Sequence, residues 1–156
     1  MVASVASTYS DILTSVFSST IAAKAWLATG AGALALVQIS TGARIFGKIR
    51  HLVPIPPPYV NRIHRWSGRL AILLTLPVAF HCIFILGFQT TDTRVLAHSI
   101  VGSFVYGLIA VKLFFVHDND HPRWTLPLVG GIVFATLATL WSTSSLWYFT
   151  NVRFGF

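Results

Sequence analysis

Four stretches of the chain, residues 22–45, 67–88, 95–116 and 126–149, each run for more than twenty residues with at most two charged side chains. A helix needs about 20 apolar residues to cross a bilayer, and each stretch meets that length. A soluble helical core would require polar residues at helical spacing along one face of every helix, and these stretches lack them. Only 10% of the 156 residues are charged, and the mean hydropathy is +0.72, far from the balance of soluble domains. The expectation is an all-α integral membrane four-helix bundle, a single membrane domain over residues 1–156. A Pro-rich cytoplasmic loop over residues 46–66 joins the first two spans.

The formal net charge of +7 invites comparison with nucleic-acid-binding proteins, but the positions of the cations argue against a nucleic-acid partner. Arg44, Lys48, Arg50, Arg62, Arg65 and Arg69 flank or fill the first loop, and Lys112 and Arg123 flank the third. Lys24, Arg94 and Arg153 fall on the opposite side. This asymmetry follows the positive-inside rule, which puts the first and third loops in the cytoplasm and both termini on the outer side. A multi-pass protein of the cell inner (plasma) membrane is expected, with the lipid bilayer as its principal partner.

Cys82 is the only cysteine, which excludes an intrachain disulfide and the C-x-x-C-H signal for covalent haem. Residues 1–20 carry no basic n-region, so a cleaved signal peptide is not expected. Ile12, Leu13, Val16, Phe17 and Ile21 recur at helical spacing, compatible with a short surface helix or a frayed terminus. Gln38 is the polar side chain at depth in the first span, where an interhelical hydrogen bond is expected. Pro54, Pro56, Pro57 and Pro58 impose an extended, stiff path on the first loop.

Polar rings are costly among lipid-facing residues, so intramembrane histidines are functional candidates. HRWSG (His64–Gly68) begins the second span and HSIVG (His98–Gly102) begins the third. Each leads through apolar residues to another histidine, His81 or His117. Successive spans run in opposite directions, so this is a short inverted repeat, implying a pseudo-two-fold axis in the membrane plane. The 17 residues from His64 to His81 and the 19 from His98 to His117 correspond to rises of about 26 and 29 Å. Depth therefore pairs His81 with His98 and His64 with His117. At about 100° per residue the two offsets are mirror images, so both pairs can converge if the two spans face each other.

Two opposed imidazoles between apolar helices suit haem b, one or two per chain, because each ring supplies an axial ligand. Zinc or non-haem iron would need three or four clustered ligands, and no acidic residue lies within these spans. Gly68 and Gly102 are candidates for giving the macrocycle close approach to backbone. Arg62, Arg65 and Arg69 are candidates for propionate contacts or simply topology-setting cations, and Lys112 can snorkel to the inner interface. Competing readings of the chain are a cofactor-free structural or accessory subunit of a respiratory or photosynthetic complex, and a His-based proton or ion carrier.

The pattern HRWSG…PVAFHC…RVLAHS…VYG…K resembles a family of small four-span membrane proteins of unknown function. That family is in turn similar to the cytochrome b561 and ferric-reductase-type membrane cytochromes. The resemblance covers roughly residues 24–149 and is weaker at His117; the 17- and 19-residue spacings are longer than the ferric-reductase pattern. It implies bis-His haem b and electron transfer within or across the membrane. The implied partners are other membrane redox subunits, with a quinone, a c-type cytochrome or an iron–sulfur protein as donor or acceptor.

Overall fold

The computed structural model describes residues 2–49, 51–52, 54–118 and 120–152, with side chains from Val5 onward. Arg50 and Arg153 lie outside the described residues. Lipid offers no hydrogen bonds to a peptide group, so an apolar chain must satisfy its backbone internally. Here it does so entirely with helices: among the described residues there is no strand. A short helix α1 (Val2–Thr14) is followed by α2 (Thr20–Ile45) and α3 (Pro57–Phe80), the latter continuing as a π-helical segment, His81–Leu86. Next come α4 (Thr93–His117) and α5 (Thr125–Trp141), which passes through a second π-helical segment, Ser142–Leu146, into α6 (Trp147–Asn151). Four of these units, Thr20–Ile45, Pro57–Leu86, Thr93–His117 and Thr125–Asn151, are long and apolar enough to cross a membrane.

Local chemistry sets the boundaries. Ser19 accepts from the Ala22 N–H at 3.1 Å and opens α2, and Asp92 accepts from the Val95 N–H at 2.8 Å and opens α4. The span-two helix begins ten residues earlier than the sequence suggests, because Pro57 and Pro58 occupy its first turn. A proline there loses nothing, since the first helical N–H groups have no intrahelical acceptor anyway. The stiff extended path therefore ends at Pro56, and His64 stands two turns inside α3 rather than at its end. Pro77 interrupts the hydrogen-bond ladder of α3 one turn before the π-helical segment, which closes at Gly87 with φ of +67°, a conformation that favours glycine.

The helices do not pack in the order the chain suggests. α2 lies against both α3 and α5, and α5 lies against α4, whereas the consecutive α3 and α4 scarcely approach each other. The order around the bundle is thus α3, α2, α5, α4, with an opening between the two ends of the series. The expected face-to-face hairpin of the second and third spans is replaced by a gap. α2 can sit between two neighbours because its buried positions are small: Ala22, Ala23, Ala25, Ala31 and Ala35. Small residues let helix backbones approach where the hydrophobic effect gives no drive to associate. Trp141 seals the α2–α5 seam, its indole N–H donating to Thr29 Oγ1 at 3.0 Å. Large side chains such as Leu73, Phe84, Phe104 and Phe114 point outward, as a lipid-facing surface requires.

The antiparallel course of the spans gathers α1, α6 and the 87–92 connection at one end of the bundle, here the terminal end. The 46–56 and 118–124 connections lie at the other, the loop end. α1 is docked at the terminal end: the Tyr9 hydroxyl donates to the Pro77 carbonyl at 2.9 Å, and its ring lies 5.1 Å from that of Phe80. Burial, and secondarily the neighbouring Cys82, push the Tyr9 phenol above its ordinary pKa, so it remains a donor.

Gln38 makes the expected interhelical contact. Its amide donates to Ser67 Oγ at 2.8 Å and to the His64 carbonyl. Gly68 permits this, since a Cβ at that position would lie 3.1–3.3 Å from the Gln38 amide. Gly68→Val is therefore expected to lower stability by about 1–3 kcal/mol, the usual cost of overpacking. Gly107→Ala, at a position with open space, is expected to cause no loss. Thermal or denaturant midpoints of the two variants in detergent check this.

Candidate functional site

His64 and His98 are held by the same device. His64 Nδ1 lies 2.8 Å from Thr41 Oγ1 on α2, and His98 Nδ1 lies 2.9 Å from Thr143 Oγ1 on the extension of α5. Each threonine hydroxyl already donates to the carbonyl four residues earlier, Thr41 to Val37 at 2.6 Å and Thr143 to Thr139 at 2.7 Å. A hydroxyl has one proton, so each oxygen accepts from the ring and the ring nitrogen donates. In the neutral imidazole this assigns the proton to Nδ1 and the lone pair to Nε2. That is the tautomer of a metal-ligating histidine whose other nitrogen is anchored by an outer partner.

The correspondence extends by register. The glycine four residues after each histidine faces the residue three before the matching threonine: Gly68 faces Gln38, and Gly102 faces Leu140, at 3.6 Å from a notional Cβ. The inverted repeat is therefore a two-helix module, His-x-x-x-Gly on one helix against x-Ile/Trp-Ser-Thr on its neighbour, present as QIST (Gln38–Thr41) and LWST (Leu140–Thr143). The threonines were missed by sequence reasoning, although the shared Ser-Thr pair was there to be matched. The glycines seat the adjacent helix, and Gly102 in addition lines the cavity described next.

The gap between α3 and α4 widens at the terminal end into a cavity of about 450 Å³, to which α2, α3, α4 and α5 all contribute. That volume lies in the range of small-molecule and cofactor sites. Most of its wall is apolar, and its polar groups include His98, Lys24, Arg94, Cys82 and Ser103. Thr75 and Tyr106, also in the wall, meet across the gap with the Tyr106 hydroxyl 3.1 Å from Thr75 Oγ1. Both π-helical segments border the cavity, through Cys82, Ile83 and Leu86 on one side and Thr143 and Ser144 on the other. π-helical turns recur at functional sites. Arg94 is fully engaged: it donates to the Thr143 carbonyl at 2.6 Å, lies 3.7 Å from Asp92 and stacks 4.3 Å over the Trp147 ring.

The other sequence-derived residues are placed as follows. His81 is buried at the first position of the π-helical segment, beside the cavity-lining Cys82 but outside the lining itself. Its ring centroid lies 5.7 Å from that of Tyr9, and its buried Nδ1 has no hydrogen-bond partner. His117 is exposed and bonds to the Leu113 carbonyl of its own helix at 2.8 Å, while His64 has Lys112 as a charged neighbour. Arg62, Arg65 and Arg69 are exposed, with Arg69 lying 5.2 Å over its neighbour Trp66. No group of three or more His, Cys, Asp or Glu side chains converges among the described residues.

Fold and site together define a small multi-pass helical membrane protein with a cofactor-sized cavity inside its bundle. The chain belongs to a family of unknown function, DUF6529, whose model matches residues 3–156. No curated protein and no solved structure matches it.

The Thr143–His98 bond makes a direct forecast. Thr143→Val removes the hydroxyl that accepts the Nδ1 proton and leaves the Leu140 backbone as the remaining partner of the ring, at a cost of about 1 kcal/mol. Imidazole ¹⁵N shifts are expected to report a single Nδ1-protonated tautomer for His98 in the parent protein and a mixture in the variant.

Proposed function

We propose that the protein is a membrane-embedded cytochrome b, carrying one haem b between α3 and α4 and passing electrons within or across the membrane as part of a redox complex. The observation that carries this reading is the gap itself: two consecutive helices held apart, with an imidazole whose Nε2 lone pair is uncommitted on one side and a buried imidazole with an unpartnered nitrogen on the other. Buried polar atoms without partners are rare in native proteins and call for an explanation. A metal-binding macrocycle in the adjoining cavity supplies one where its iron takes the Nδ1 of His81, and the apolar wall of the cavity suits it.

In this reading His98 and His81 hold the haem. Thr143 fixes the His98 ring and its tautomer, and the packing of Tyr9 keeps the His81 end of the site away from water. When bound, the haem supplies one-electron ferric–ferrous chemistry, its potential tuned by ligand type and burial. The chain's own work is to hold, orient and desolvate. The basic loop end faces the cytoplasm, and the site lies toward the outer face of the inner (plasma) membrane. Such a subunit exchanges electrons with a partner, with a quinone, a c-type cytochrome or an iron–sulfur protein as the candidate classes.

The test is the visible spectrum of detergent-purified protein expressed with haem available. The parent protein is expected to show a Soret band that red-shifts on reduction, and His98→Ala and His81→Ala to lose it. A parent protein without the band contradicts the reading and leaves the cofactor-free structural subunit. Bands retained in both variants overturn the ligand assignment.

A further inference from the structure

We propose that Lys24 is the carboxylate anchor of the cavity between α3 and α4, so that the molecule bound there is apolar in its body and carries a carboxylate toward the terminal end. The proposal deepens the cytochrome reading, in which that carboxylate is a haem propionate, but it rests on a different observation.

Lys24 lies in the second turn of α2 and lines the cavity. It shares that wall with Cys82 and His98. Among the described residues its ammonium has neither an ion-pair nor a hydrogen-bond partner. The chain has four acidic residues, Asp11, Asp92, Asp118 and Asp120, and Asp92 is already beside Arg94. No acidic residue lies inside a span to neutralise Lys24. A partly buried cation without a counter-charge is costly.

Arg94, the other cation of the cavity wall, differs in that the protein satisfies it from its own atoms. Lys24 is the one whose partner must come from the ligand. An ammonium in an apolar wall is a point charge with three donors. It selects an anionic head on a lipid-soluble molecule, and a carboxylate is the group that both a porphyrin and a long-chain fatty acid present. The sequence asymmetry of basic residues does not predict this role, because Lys24 lies on the side where cations are sparse.

The experiment compares binding of haem b, haem b dimethyl ester and palmitate to purified, haem-depleted full-length protein, alongside Lys24→Gln and Lys24→Arg. The expected result is haem b binding at least tenfold tighter than its dimethyl ester in the parent protein. That preference should vanish in Lys24→Gln and persist in Lys24→Arg. Neither porphyrin binding, with palmitate held in a Lys24-dependent manner, would sustain the carboxylate anchor while removing the cytochrome reading. Equal affinity for haem b and its dimethyl ester in the parent protein would overturn the anchor and leave the cytochrome reading untouched. That arm requires no substitution, so it is independent of whether a variant folds. Failure of all three probes to bind would also overturn the anchor.

Discussion

Two hydrogen bonds from imidazole to threonine organise this bundle. Each ties a histidine near the start of one helix to a threonine near the end of its antiparallel neighbour, α3 to α2 through His64 and Thr41, and α4 to α5 through His98 and Thr143. In water such bonds would be worth little net energy; in an apolar interior a missing partner is costly, so the bonds select which helices pair. Once α3 is committed to α2 and α4 to α5, and α2 and α5 are joined by the Trp141–Thr29 contact, no helix is left to close the space between α3 and α4. The cavity follows from the pairing rather than from any local cavity-forming motif.

The two copies of the module differ in what lies beside the histidine. At the loop end Gln38 fills the position facing Gly68 and bonds back to α3, leaving that seam closed. At the terminal end the corresponding residue is Leu140, whose apolar side chain makes no such bond to α4, and Gly102 next to it opens into the cavity. One substitution in a pseudo-symmetric frame thus separates a structural end from an open one. The two π-helical segments fall at the open end as well, where their wider turns redirect the side chains that follow.

Much of this was legible in the sequence. The four spans, the polar contact of Gln38 and the His-x-x-x-Gly repeat are periodicity and composition made visible. The start of α3 was not, because four prolines in five positions read as an extended spacer until Pro57 and Pro58 fall in a first helical turn. The depth and angle argument for the four histidines assumed that consecutive spans face each other and keep one angular phase along their whole length. The first assumption fails because α3 and α4 each pack elsewhere. The second fails for His81, which follows Pro77 and begins a π-helical segment. Thr143 and Lys24 line the cavity and Thr41 anchors the histidine at the other end, yet each has a commonplace alternative role as a helix residue or a topology charge, and single-residue chemistry could not distinguish them.

The central claim is that one terminal-end cavity, and not a pair of sites across the membrane, is the functional centre. Haem stoichiometry tests it most directly, measured as haemochrome per chain on detergent-purified protein that has been saturated with haem during expression. The account predicts one haem per chain. Two per chain would contradict the single-site arrangement by requiring His64 and His117 to converge, and none would contradict the cytochrome reading itself.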